Sequence, residues 1–136
     1  MAVALATVRA LPGVRFVIDH LAKPPIASGG LQPWADLLRP FGAEPNVWCK
    51  VSGLVTEADW MAGRPEDLVP YVRVAIDTFG PERLMFGSDW PVCLVAASYE
   101  RVLAAARLAL DGLDETALRR LFGETATEVY RLAGAD

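Results

Sequence analysis

Two side chains that could carry acid–base or metal chemistry, His20 and Asp89, each follow a short apolar run of the sequence. His20 is the chain's only histidine, and Asp89 comes directly after the run LMFGS at 84–88. A neutral imidazole can bind a metal or carry a proton, and a carboxylate can activate water or bind a divalent ion. Each residue also has a purely structural interpretation that stays open. His20 could be a hydrogen-bonded loop histidine, and Asp89 could be an aspartate that caps a turn.

Four further residues near these positions are candidates for binding a substrate. Lys50 lies inside an apolar segment, so it needs a carboxylate or substrate anion as partner, or else it extends its ammonium group into water. Ser52 and Trp90 lie at segment ends, although a tryptophan there is often part of the core. Lys23 lies in a loop and either holds a carboxylate-bearing substrate or is only solvated. Asp19 is expected to point away from His20 and to orient the loop.

The elements that would position these residues alternate along the chain. Strands are predicted at 14–19, 47–52 and 84–87, and helices at 2–11, 31–41, 65–79, 98–110, 114–122 and 124–132, with a break at Gly123. This alternation indicates a parallel sheet with right-handed crossovers. Because the carboxyl ends of parallel barrel strands share one rim, we expect His20, Ser52 and Asp89 to meet there.

The second strand has two unlike faces, since Val47, Cys49 and Val51 alternate with Trp48, Lys50 and Ser52. Such alternation is typical of a barrel strand. The fold class predicted is α/β, a partial (β/α)₈ TIM barrel of about three parallel strands with flanking helices plus C-terminal helices.

An incomplete barrel would leave its inward face uncovered. Strand alternation places a mainly apolar set of residues on that face: Phe16, Ile18, Trp48, Lys50, Met85 and Gly87. Exposing the four large apolar members would forfeit roughly 6–12 kcal/mol of burial. We therefore expect either a missing barrel half or self-association, and a lone monomer of marginal stability.

Composition bounds the remaining possibilities. A chain of 136 residues suits one domain, 1–136, and a net charge of −4 provides no basic surface for nucleic acid. No apolar run is long enough to span a membrane and no secretory signal is evident, so a cytoplasmic protein is expected. Several kinds of chemistry lack their usual residues. Cys49 and Cys93 stand alone, which argues against a disulfide framework or a cysteine zinc site. P-loop and G-x-G-x-x-G motifs are lacking, which argues against nucleotide chemistry.

Four segments carry a resemblance to a known family: FVIDHLAKP (16–24), WCKVSGL (48–54), PERLMFGSDWPV (81–92) and LFGETATEVYRL (121–132). In order and spacing they resemble the amidohydrolase superfamily, in the branch of sugar lactonases and 2-pyrone-4,6-dicarboxylate hydrolase. The resemblance implies the C-terminal half of a metal-dependent hydrolase barrel, with the three strands as its sixth to eighth. It also implies a hydrolase in which Asp89 activates water and His20 assists or binds metal, opening a small lactone or a carboxylate-bearing cyclic ester.

The resemblance leaves the cofactor open. Some members hold a divalent metal, here zinc or manganese with His20 and Asp89 as ligands, and others work without one. The H-x-H pair of the family has no counterpart in this chain, and catalytic zinc takes about three protein ligands. The alternative interpretation is therefore a catalytically incomplete fragment that acts as a structural or assembly module.

Overall fold

A computed structural model describes residues 1–132, and its centre is a sheet of three short parallel strands. These are β1 (Phe16–Ile18), β2 (Val47–Val51) and β3 (Leu84–Phe86), in the order β1-β2-β3. Each lies within its predicted segment. Ile18 pairs with Cys49 and Val51 with Phe86, so the carboxyl ends of all three strands lie at one edge.

Helices follow the strands as the alternation predicted. The α-helices are α1 (Ala2–Ala10), α2 (Trp34–Leu38), α3 (Leu54–Glu57), α4 (Val69–Phe79), α5 (Tyr99–Ala109), α6 (Glu115–Arg119) and α7 (Thr125–Tyr130). A loop was expected where α3 lies. Within residues 1–132, none of the helices has the length and apolar character needed to cross a membrane.

The outer face of the sheet carries the core. Val47, Cys49 and Val51 are buried there, while Trp48 and Lys50 on the other face are partly exposed. The buried face shares one apolar cluster with residues of α2 and α4, including Leu38 and Val72. Fully burying an aliphatic side chain contributes about 1.5–3 kcal/mol, so this cluster fixes the strands against their crossover helices.

The C-terminal helices form a different arrangement from the one predicted. No break occurs at Gly123, because a π-helical turn over Arg120–Glu124 joins α6 to α7. The guanidinium of Arg15, just before β1, donates to the carbonyls of Glu128 and Val129 at 2.8 and 2.9 Å. The hydroxyl of Thr125 donates to the carbonyl of Glu82, just before β3, at 3.3 Å. Helix α7 therefore lies across the amino ends of the strands, opposite the rim.

The inward face is partly covered. Phe16, Ile18 and Trp48 are half-buried, but Met85 is only 1% exposed, and α7 contacts β3. The expectation that Met85 would be exposed is therefore wrong, because α7 was not expected at this position. Within residues 1–132, β1 and β3 each pair with β2 alone, which leaves two open sheet edges.

Candidate active site

His20, Ser52 and Asp89 meet at the rim formed by the carboxyl ends of the strands, as predicted. The Nδ1 atom of His20 lies 2.8 Å from the hydroxyl oxygen of Ser52, and its Nε2 atom lies 3.7 Å from Oδ1 of Asp89. The imidazole therefore lies between a hydroxyl and a carboxylate. Ser52 is 4% exposed and the Asp89 side chain 15%, so both polar groups are sheltered from water.

Asp19 joins this cluster instead of pointing away from it. Its Oδ2 atom lies 3.5 Å from Nε2 of His20, and its Oδ1 atom lies 3.3 Å from Nζ of Lys50. The prediction for Asp19 is wrong because side chains alternate only while the backbone is extended. At His20 the backbone enters a left-handed turn, with φ of +50°. Two carboxylates consequently flank the same imidazole nitrogen.

This left-handed turn comprises four successive residues, His20 to Lys23, with φ between +47° and +57°. Left-handed backbone costs an L-residue roughly 1–2 kcal/mol, so such a turn persists only where its surroundings hold it. Leu21 is fully buried, and its carbonyl accepts a hydrogen bond from the indole N–H of Trp34 at 2.7 Å. Asp89 is also left-handed, with φ of +60°. Strain of this kind is concentrated at functional sites.

Gly53 brings β2 close to the imidazole. Its φ is +63°, and a Cβ atom built on it would lie 2.8 Å from Nδ1 of His20. A residue with a side chain would therefore meet both backbone strain and a steric clash. The absence of a Cβ atom at Gly53 is what allows His20 to reach Ser52.

Lys50 has a carboxylate partner, Asp19, as expected if the lysine is paired instead of extending its ammonium group into water. Its ammonium group pairs with Asp19 and lies 5.8 Å from the ring centroid of Tyr130. Burial lowers the pKa of Lys50, but the hydrogen bond and charge of Asp19, together with Tyr130, outweigh this effect, so the pKa lies above its ordinary value. Tyr130 belongs to α7, and no pattern in the sequence connected it with Lys50.

The raised pKa of Lys50 gives a test of this pair. A raised pKa stabilises the fold at every pH below the unfolded value of about 10.4, and the stabilisation disappears as pH rises through the folded value. We expect Lys50→Met to lower the free energy of unfolding at pH 8 by no more than about 1 kcal/mol, since the pair is partly exposed. The deficit should vanish at strongly alkaline pH in denaturant titrations. Lys50→Arg, which keeps its charge, is the control; an equal deficit at all pH values would contradict the ion pair.

Lys23 and Trp90 lie on the same rim in different settings. The ammonium group of Lys23 bonds to Glu57 at 2.7 Å, and this hydrogen bond raises the pKa of Lys23. The Trp90 side chain is largely free, at 64% exposure, beside Asp89. Glu57 was not identified from the sequence, since it lies in the segment interpreted as a loop.

The donors present do not make up a complete zinc centre. Among residues 1–132 there is no group of three or more His, Cys, Asp or Glu side chains arranged to hold a metal ion. The two ligands predicted from the sequence, His20 and Asp89, fall short of the three or so protein ligands of catalytic zinc, and the nearby Asp19 carboxylate is paired with Lys50.

With this geometry established, comparison with known proteins identifies the family. The family model described as Amidohydrolase matches residues 2–132. The chain belongs to the amidohydrolase family. The match confirms the resemblance seen in the strand-end motifs.

Relatives in the amidohydrolase family include proteins named for lactone hydrolysis. The chain is 47% identical over 126 residues to the L-fucono-1,5-lactonase of Burkholderia multivorans, covering 85% of this chain and 43% of the relative. A crystal structure of an amidohydrolase from Burkholderia multivorans with bound zinc matches at a TM-score of 0.85 and 44% identity, covering 94% of this chain and 48% of that one.

A candidate 2-pyrone-4,6-dicarboxylic acid hydrolase from Pseudomonas putida matches at a TM-score of 0.72 and 28% identity, covering 93% of this chain and 47% of that one. The chain thus spans slightly less than half the length of these amidohydrolases. Its three strands are a partial TIM barrel, as predicted.

Proposed function

We propose that this chain supplies the C-terminal strands of a hydrolase that opens a small lactone or related cyclic ester. The observation that carries the proposal is the placement of His20 between Ser52 and Asp89 on the rim. The names of the lactonase relatives support the substrate class. Asp89 and His20 are the proposed catalytic residues, and residues 1–136 are proposed to form the C-terminal half of one amidohydrolase-type (β/α)₈ barrel.

The proposed reaction begins with Asp89 as general base. Its carboxylate removes a proton from water, and the hydroxide oxygen forms a bond to the lactone carbonyl carbon. The ring C–O bond then breaks, and the departing alkoxide takes up the proton that Asp89 removed from water, while Nε2–H of His20 donates a hydrogen bond to the oxygen that gains charge. Asp89 thereby returns to its carboxylate form, and the imidazole, whose Nε2 atom lies 3.7 Å from Oδ1 of Asp89, keeps its own proton throughout. The hydroxyl group of the water ends in the carboxylic acid of the product, and its other proton ends on the alcohol.

Four rim residues are proposed to bind the substrate. The exposed indole of Trp90 would contact the apolar face of the lactone ring, beside the base. Lys50 and Lys23 would provide positive charge for a carbonyl or carboxylate, each oriented by its acidic partner. Ser52 is proposed to act mainly through its hydrogen bond to His20. None of these steps passes through a metal, and both expectations, one zinc or manganese ion or no metal at all, stay open.

The remaining part of the site is proposed to come from further barrel strands. Two open sheet edges and a chain that spans less than half of its relatives support a partner barrel half in preference to self-association. Nucleic acid and membrane are not proposed as partners. The cytoplasmic location stays a prediction.

A fused protein tests the proposal directly. The N-terminal part of the Burkholderia multivorans lactonase, ending where its similarity to this chain begins, would be joined to residues 1–136. We expect the fusion to be a folded protein that releases acid from γ- or δ-lactones in a pH-stat assay. A folded fusion without turnover on any lactone would contradict the proposal and favour the structural module. Native mass spectrometry of the unfused chain would show whether it self-associates.

A further inference from the structure

We infer that Trp34, the first residue of α2, is a positioning residue for His20. The inference rests on the proposed function, because it matters for catalysis only if His20 acts on the substrate. It starts from the left-handed turn His20 to Lys23, which an L-polypeptide does not adopt without support. Some contact must therefore keep the turn in place.

The indole of Trp34 provides that contact at the residue next to His20. Its N–H donates to the carbonyl of Leu21 at 2.7 Å, in a buried environment where a hydrogen bond is not exchanged with water. Leu21 is itself fully buried. Fixing this carbonyl fixes the peptide plane that follows Leu21 and thus the middle of the turn. The imidazole one residue earlier is thereby held toward Ser52.

The ring of Trp34 and its N–H group have separable roles. The ring is 4% exposed and packs edge-on against Tyr71, with centroids 5.5 Å apart, which any large aromatic residue could do in part. Only the indole N–H reaches the carbonyl of Leu21. A phenylalanine at position 34 would keep aromatic packing and lose the hydrogen bond, so the two roles can be measured apart.

The experiment uses the single histidine of the chain as its probe. The chain labelled with ¹⁵N-histidine gives ring signals from His20 alone, and all variants are recorded at the same pH. We expect the wild type to show one tautomer, with a contact to Ser52, and Trp34→Phe to show averaged ring nitrogens without that contact. In the fused protein kcat should fall roughly five- to thirtyfold, the range for a lost buried hydrogen bond, with little change in KM.

Two variants serve as controls. Trp60→Phe removes another indole, whose N–H donates to the carbonyl of Thr56 in α3 at 3.0 Å in an exposed setting, and should leave the His20 signals unchanged. Leu38→Ala removes buried packing from α2 and should lower stability without changing the tautomer. Wild-type signals in Trp34→Phe, or an equal change in Leu38→Ala, would overturn the inference. Lactone turnover by the fused wild type tests the proposed function separately, because the nitrogen signals do not depend on activity.

Discussion

Replacing Asp89 by asparagine is expected to lower kcat of the fused protein by about 10²–10⁴-fold, the usual contribution of a general base. The amide has nearly the same shape as the carboxylate but cannot accept a proton from water. KM should change little, because Trp90 and the two rim lysines remain. Initial rates of acid release from a δ-lactone, measured over a range of concentrations, would separate kcat from KM.

Asp19→Asn is the matched control, since Asp19 lies 3.5 Å from the same imidazole nitrogen. Its side chain is 55% exposed and pairs with Lys50, so we expect a loss of less than about tenfold. If Asp19→Asn were the inactive variant and Asp89→Asn the active one, the roles of the two carboxylates would have to be exchanged. Circular dichroism of both variants would show whether either fails to fold.

Gly53→Ala is expected to reduce both stability and turnover. The left-handed backbone at Gly53 would cost alanine roughly 1–2 kcal/mol, which a urea titration would detect. The added Cβ atom, 2.8 Å from Nδ1 of His20, would also push the imidazole away from Ser52. A displacement of about 1 Å in a catalytic group can lower the rate by about 10²-fold, so kcat of the fused protein should fall by about that factor.

Gly112→Ala separates the two causes. Gly112 is also left-handed, with φ of +88°, but a Cβ atom there would meet nothing within 4 Å. We expect this variant to lose a similar amount of stability and to keep its turnover. Equal turnover in the two variants would mean that the close approach of Gly53 to His20 has no role in positioning.

The rim could be predicted from the sequence because the pattern that marks it lies within short segments of the chain. Apolar β-branched runs that end in polar residues mark both the strands and the edge where their last side chains meet, which placed His20, Ser52 and Asp89 together. The position of Asp19 could not be read in the same way. It depends on a left-handed turn in DHLAK, a segment without the glycine that usually announces such a conformation.

Long-range packing accounts for the other differences. Gly123 was interpreted as a helix break from its low helix propensity, but the π-helical turn from Arg120 to Glu124 carries the helix through it. Tyr130 reaches Lys50 only because α7 crosses beneath the strands, and neither residue's neighbours in the sequence indicate that contact. The contacts that place α7 join partners more than 40 residues apart in the chain, beyond the reach of any local pattern.

The contact between Arg15 and the carbonyls of α7 also bears on biosynthesis. The two acceptors lie 113 and 114 residues after Arg15, so a ribosome must add all of these residues before the guanidinium can reach them. Once residues 47–51 have been added, the first β-segment has its pairing partner but still lacks this anchor. During synthesis the first strand can therefore pair with the second long before it is fixed to α7, and its final position is set only when residues 128 and 129 are in place.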